Sequence, residues 1–98
     1  MYTIIWRFEV LPAAIAEFEA MYGPEGEWVR LFRAGRGYLG TELFQHTVNE
    51  TRYVTVDRWE SREAFEMFRA RNLHAYAELD ARCERYTASE TLLGETEE

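Results

Sequence analysis

Lysine is absent from this chain, and all 11 basic residues are arginine. Schiff-base chemistry, which needs a lysine amine or a cofactor held through one, is thereby excluded. Cysteine occurs once, as Cys83, so no intrachain disulfide can form and nothing points to an oxidising compartment. Positive charge is scarce overall: the net charge is −7 and the pI about 4.9. A surface for nucleic acid or an anionic membrane needs clustered cations to neutralise phosphates, so neither partner is expected. The first residues show no charged n-region, no long apolar stretch and no small-residue cleavage site. The expected location is the cytoplasm, where the formal glycosylation tripeptide Asn49-Glu50-Thr51 has no meaning. Solenoid-period repeats and low-complexity segments are missing as well.

Apolar side chains, by contrast, are plentiful at 47%, and 15% of the residues are aromatic. That balance is far from the one that keeps chains disordered. With 98 residues, the expectation is one domain over residues 1–94 and an acidic tail over 95–98. Residues 2–10 alternate, with Tyr2, Ile4, Trp6, Phe8 and Val10 on one face, which predicts a strand. Pro12 suits a first helical position, and Leu11, Ile15, Phe18 and Tyr22 follow at helical spacing until Gly23-Pro24 ends the run. A second helical piece carries Trp28, Leu31 and Phe32, with acidic residues near its start and arginines near its end, matching the helix dipole.

From Tyr38 to Thr47 the strand pattern returns, turns through residues 48–51, and resumes from Arg52 to Trp59. Ser61 is a plausible N-cap for a helix bearing Ala64, Phe65 and Phe68. A further helix carries Leu73, Tyr76, Ala77, Asp80 and Cys83 on one side, and Tyr86 to Leu93 predicts a last strand before Gly94 opens the tail. The order is βαββαβ with each helical layer broken in two. Right-handed crossovers then give an α+β, ferredoxin-like fold: a four-stranded antiparallel sheet with helices on one face. The opposite face still carries Ile5 with either Val54 and Val56 or Tyr53 and Trp59, too apolar for water. A second copy's sheet is the natural cover, so a homodimer through the sheet face is expected.

Few motifs carry chemistry. Gly35-Arg36-Gly37-Tyr38-Leu39-Gly40 spells G-x-G-x-x-G, but it follows a helix and enters a strand. Dinucleotide binding needs the reverse, because phosphate sits on the N-terminus of a helix after the glycines. A helix C-cap and turn is the better account. His74 and Glu78 are four apart on a helix and His46 is distant, too few ligands for a metal. Cys83 sits on an apolar helix side, where a nucleophile would need a nearby base to form thiolate, and reads as core. The informative stretch is Asp57-Arg58-Trp59-Glu60-Ser61, where a strand ends and a helix begins. Alternation puts Tyr53, Thr55 and Asp57 on the face of Trp59, and Phe65 follows on the helix. Two readings stand side by side: an aromatic pocket for a flat organic ligand, or a filled core anchored by Trp59.

At this joint the chain resembles the antibiotic biosynthesis monooxygenase family of dimeric α/β-barrel proteins. The matching features are the opening Trp6-Arg7-Phe8 strand with the Pro12 helix, the strand from Gly37 to Leu43, and the run Asp57-Arg58-Trp59-Glu60-Ser61-Arg62-Glu63-Ala64-Phe65. The likeness extends over nearly the whole chain. It implies a dimeric α/β barrel and, in members that oxidise aromatic polyketides, use of O2 without metal or flavin. Trp59 corresponds to the family's cavity tryptophan. The position four earlier, asparagine in those oxidisers, is Thr55, and their helix tyrosine corresponds to Phe65.

The resemblance therefore implies a cofactor-independent monooxygenase acting on a phenolic or quinonoid small molecule, with a cavity lined by Trp59, Thr55, Phe65 and Tyr53. Candidates for catalytic roles are Trp59, Arg7, Tyr53, His74 and Tyr76, with no metal or cofactor. The alternative is a non-enzymatic dimeric ligand-binding or scaffold domain of the same fold. The family's haem-degrading branch fits poorly. Its strand asparagine, helix tryptophan and ligating histidine fall on Trp6-Arg7, on Phe68 and away from His74, and haem iron needs an axial ligand.

Overall fold

The computed structural model describes residues 1–98. Strand β1 (Tyr2–Val10) is followed by a short 3-10 turn begun by Pro12, helix α1 (Ile15–Tyr22) and helix α2 (Glu27–Phe32). The hairpin β2 (Tyr38–Gln45) and β3 (Arg52–Trp59) comes next, then α3 (Arg62–Arg71), α4 (Leu73–Cys83), a second 3-10 turn and β4 (Thr87–Glu97). The four strands form one antiparallel sheet in the order β2-β3-β1-β4. Both layers of paired helices cover one face of it. The expected α+β ferredoxin-like arrangement is the one observed.

Alternation decides which side chains the helices cover. Along β3, Tyr53, Thr55, Asp57 and Trp59 are all buried, while Arg52, Val54, Val56 and Arg58 on the other face stay partly exposed. On β1 the covered set is Tyr2, Ile4, Phe8 and Val10, with Trp6 between them only half-buried. That gap in an otherwise sealed row locates the cavity described below. Helices α1 and α2 contribute Phe18, Tyr22, Trp28 and Phe32, and α3 and α4 contribute Phe65, Phe68, Leu79 and Cys83. Ring contacts run through the whole core, as between Phe18 and Tyr22 at 4.3 Å and between Trp59 and Phe68 at 5.0 Å. Cys83 is buried among them, as its helix side implied.

Local signals account for the joints. The Ser61 hydroxyl accepts from the Ala64 N–H at 3.0 Å and caps α3. Gly35 ends the α2 layer where a β-carbon would come within 2.8 Å of both the Phe68 and Trp59 rings, so only glycine lets the chain pass. Gly37 has φ of 95°, the left-handed region that side chains avoid. The glycine triplet is thus a close-packed turn into a strand.

Two boundaries differ from expectation. Strand β2 ends at Gln45, because the His46 ring accepts from the backbone N–H groups of Val48 and Asn49 and turns the chain early. Strand β4 continues to Glu97, through most of the segment expected to be an acidic tail. Glu95 and Glu97 pair opposite Ile4 and Tyr2 on β1. The Tyr2 hydroxyl donates to Glu95 at 2.8 Å, Arg62 forms an ion pair with Glu95, and the Arg62 backbone N–H donates to Glu97 at 2.7 Å. These partners come from distant parts of the chain, so composition alone made the segment look free.

Candidate functional site

A small cavity of about 50 Å³, partly open to solvent, lies between the middle of the sheet and the helices. Its walls are aromatic: Trp6 and Phe8 from β1, Tyr22 from α1, Trp28 and Phe32 from α2, and Tyr76 from α4. Its polar groups are Thr41 from β2, Thr55 and Asp57 from β3, Asp80 from α4 and Glu90 from β4. It is a small slot with aromatic walls, into which polar groups converge from β2, β3, α4 and β4.

The strands position the polar groups through register. Thr41 pairs opposite Asp57 on β3, and its hydroxyl donates to Asp57 Oδ1 at 2.6 Å. The Tyr38 hydroxyl lies 2.6 Å from the same Thr41 oxygen. Because the Thr41 hydrogen is used on Asp57, Tyr38 is the donor in that second bond. Asp57 is only 8% exposed. Burial pushes its carboxyl up to about 6, and the Thr41 hydroxyl limits the rise by favouring the charged form.

Asp80 and Glu90 stand on the exposed rim, where partial burial raises both and neighbouring carboxylates add to the effect. The Tyr76 phenol is pushed up to about 12 by burial and by the Asp80 carboxylate. It is therefore a neutral O–H donor at any ordinary pH. The indole N–H groups of Trp28 and Trp59 are both buried without an acceptor. No arginine or histidine lines the slot, so its charge is wholly negative.

The sequence-expected residues divide unevenly across this geometry. Thr55 and Tyr76 line the cavity. Trp59 does not: it is completely buried in a packed crease, its ring 5.0–5.7 Å from those of Phe32, Tyr38, Phe65 and Phe68. Phe65 belongs to that crease and, like Trp59, fills core. Of the two readings of this joint, the filled core is the one observed. Tyr53 is buried at the end of β3, where its hydroxyl donates to Glu19 at 2.5 Å and accepts from Gln45 at 3.1 Å. Arg7 projects from the opposite face of the sheet, paired across from Val54. His74 is 96% exposed, 3.5 Å from Glu78.

Sequence reasoning set Asp57 on the face of Trp59 without giving it a role, and it passed over Trp6, Phe8, Tyr22, Trp28, Phe32, Thr41, Asp80 and Glu90 as lining residues. The alternation that put Asp57 on that face also implied its burial, since an acid sharing the face of Tyr53, Thr55 and Trp59 must be buried if they are.

A family model described as antibiotic biosynthesis monooxygenase matches residues 1–78. Among solved structures, SnoaB of Streptomyces nogalater, described as a cofactor-independent oxygenase, superposes with a TM-score of 0.78 at 19% identity, covering 99% of this chain and 91% of that one. A variant of MhuD carrying two manganese protoporphyrin IX molecules per active site gives 0.73 at 28% identity, covering 100% and 94%. Rv0793 of Mycobacterium tuberculosis gives 0.70 at 21% identity, covering 99% and 96%. No curated protein sequence matches the chain significantly. The identities to SnoaB and Rv0793 are low enough that these likenesses establish a shared fold and nothing finer.

Proposed function

The chain belongs to the antibiotic biosynthesis monooxygenase family, and on that footing we propose that it oxygenates a neutral phenolic or quinonoid small molecule with O2, without metal or flavin. The observation that carries this reading is the aromatic slot with a buried carboxylate at its floor and a neutral phenol in its wall. Stacked rings would hold a flat substrate, and the hydroxyl-directed polar groups would fix which edge enters first. In the overall reaction one atom of O2 stays on a substrate carbon. The other leaves as water with two hydrogens from the substrate.

The charge of the slot narrows the substrate class. With Asp57, Asp80 and Glu90 and no cation among its lining residues, it favours neutral or cationic ligands over carboxylated ones. A tetrapyrrole with two propionates, of the kind bound in the MhuD structure, is disfavoured here on that ground.

The working form in this proposal is a homodimer in the cytoplasm. Ile5, Val54, Val56 and the 51% exposed Phe44 form an apolar centre on the uncovered sheet face. Around it the Arg52–Glu9 and Arg58–Glu42 ion pairs provide a polar rim. No helix is long and apolar enough to cross a membrane.

A second reading, ligand binding without chemistry, is favoured by the sealed Trp59 crease and the narrowness of the slot. Oxygen uptake over a panel of hydroquinones and anthrones separates the two. Uptake above the spontaneous rate, reduced in Trp6→Ala, supports the oxygenase. Quenching of tryptophan fluorescence by the same compounds with no uptake leaves only the binding role.

A further inference from the structure

We propose that Asp57 is the catalytic residue that takes the hydroxyl proton from the aromatic substrate, and that Thr41, itself held by Tyr38, positions it for this. The inference rests on the oxygenase reading above and adds the group that makes the substrate reactive.

Placement comes first. Asp57 is the only carboxylate at the floor of the slot, whereas Asp80 and Glu90 stand at its exposed rim. Its Oδ1 is occupied by the Thr41 hydroxyl, and Oδ2 makes no hydrogen bond within the chain. That oxygen is not sealed in the core either. It therefore opens on the cavity that the residue lines. The chain Tyr38 to Thr41 to Asp57 fixes the carboxyl plane from behind, because each hydroxyl has one hydrogen and each is spent in the same direction.

Charge conservation decides what this oxygen does. Oxygenation without a cofactor runs through an electron-rich substrate anion, and an anion normally forms beside a cation that stabilises it. Here Asp57 bonds Thr41, which Tyr38 holds, and it shares the cavity lining with Tyr22 from α1, Tyr76 and Asp80 from α4 and Glu90 from β4, while Arg33 and Arg69 act from outside the lining on Tyr38 and Tyr76. None of the lining groups is cationic. Losing the proton to water would add one more negative charge to a cavity that already holds three carboxylates. Passing it to Asp57 keeps the total unchanged: the substrate O–H bond breaks, an O–H bond forms on Oδ2, and the negative charge moves from carboxylate to substrate. O2 then bonds to the substrate carbon, and the resulting peroxide anion takes the proton back from Oδ2, restoring the carboxylate. Loss of that carbon's hydrogen as a proton and cleavage of the O–O bond with departure of hydroxide form the carbonyl, and the proton and hydroxide combine as water. The neutral phenol of Tyr76 is a donor and competes for no proton.

The test compares wild type, Asp57→Asn, Asp57→Glu and Thr41→Val, with circular dichroism confirming that each is folded. Asparagine keeps an acceptor for Thr41 but takes no proton, so uptake with an anthrone should fall at least about a hundredfold, with partial recovery in Asp57→Glu. Wild-type rate should rise with pH as the carboxylate ionises near 6, and Thr41→Val should move that limb upward, because the lost bond favoured the charged form. A folded Asp57→Asn with uptake within about threefold of wild type overturns the proposal, since a general base is worth far more than that.

A second measurement needs no oxygen chemistry, so failure of the oxygenase reading can be told apart from failure of this one. A nitrophenol bound anaerobically should show its visible phenolate band in wild type and lose it in Asp57→Asn. A probe that binds wild type and stays neutral, or no binding by any phenol tested, overturns the assignment.

Discussion

Replacing Asp57 by asparagine should make the protein more stable at neutral pH and leave it unchanged in acid. Asp57 is buried, and its carboxyl moves from an ordinary 3.8 to about 6 on folding. Between those values the folded chain holds a proton that the unfolded chain has released. Stability therefore falls as pH rises through this window, the slope being set by protons bound unfolded minus protons bound folded. A shift of about two units, at about 1.4 kcal/mol each, corresponds to roughly 3 kcal/mol lost between pH 4 and pH 7.

Asparagine has no charge to desolvate and still accepts from Thr41, so the variant should recover most of that, with a melting point on the order of 10 °C higher at pH 7.5. Urea denaturation at one fixed protein concentration, repeated from pH 4 to pH 8, gives the difference curve directly. Asp80 and Glu90 titrate in both proteins and cancel from it. A difference that does not change with pH, or an asparagine variant less stable than wild type at pH 7.5, would refute the argument that burial dominates the environment of Asp57. Keeping a destabilising carboxylate at this point is what a reactive site requires, and stability lost to function is a common pattern.

Other substitutions test the surrounding structure. Gly35→Ala forces a β-carbon against the Trp59 and Phe68 rings at 2.8 Å. It should cost about 1–3 kcal/mol in chemical denaturation, as overpacking does. Trp59→Ala removes a completely buried ring from the crease and should cost roughly 3–5 kcal/mol with loss of near-UV ellipticity, whether or not a ligand is present. If it instead left stability intact and abolished ligand binding, Trp59 would belong to the slot. Val54→Asp, on the uncovered sheet face, should shift sedimentation at micromolar concentration from dimer to monomer while preserving far-UV ellipticity. A wild-type protein that sediments as a stable monomer would remove the dimer proposal.

Much of this architecture was readable from local pattern because the pattern and the structure share a cause. Alternation over residues 2–10 and 52–59 marks strands because a pleated chain sends successive side chains to opposite faces. Ser61 marks a helix start because its hydroxyl satisfies a free backbone N–H. The site was read less well. Trp59 was singled out as a cavity residue by its size and its place at a strand end. Whether such an indole lines a space or fills one depends on Phe32, Tyr38, Phe65 and Phe68 arriving from three different elements. His74 and Arg7 were chosen for their chemistry, and both face away from the slot.

The sequence by itself determined the order of the elements, which side chains share a face of each strand and the ferredoxin-like class, and its motifs carried the resemblance to the family. The elements and their class follow from periodicity, capping and turn residues within short windows. Tertiary structure alone decided where the space is and what charge it holds. Thr41 and Asp57 meet across 16 residues of chain only because the β2–β3 register sets them opposite. Asp80 and Glu90 join them only because α4 packs over the sheet while β4 pairs beside β1, setting Glu90 opposite Phe8. The final acidic segment becomes strand for the same kind of reason, since its partners Tyr2 and Arg62 lie far away in sequence. Burial, and with it the reactivity of a carboxylate, depends on every element that surrounds the group, and no single stretch of sequence contains them all.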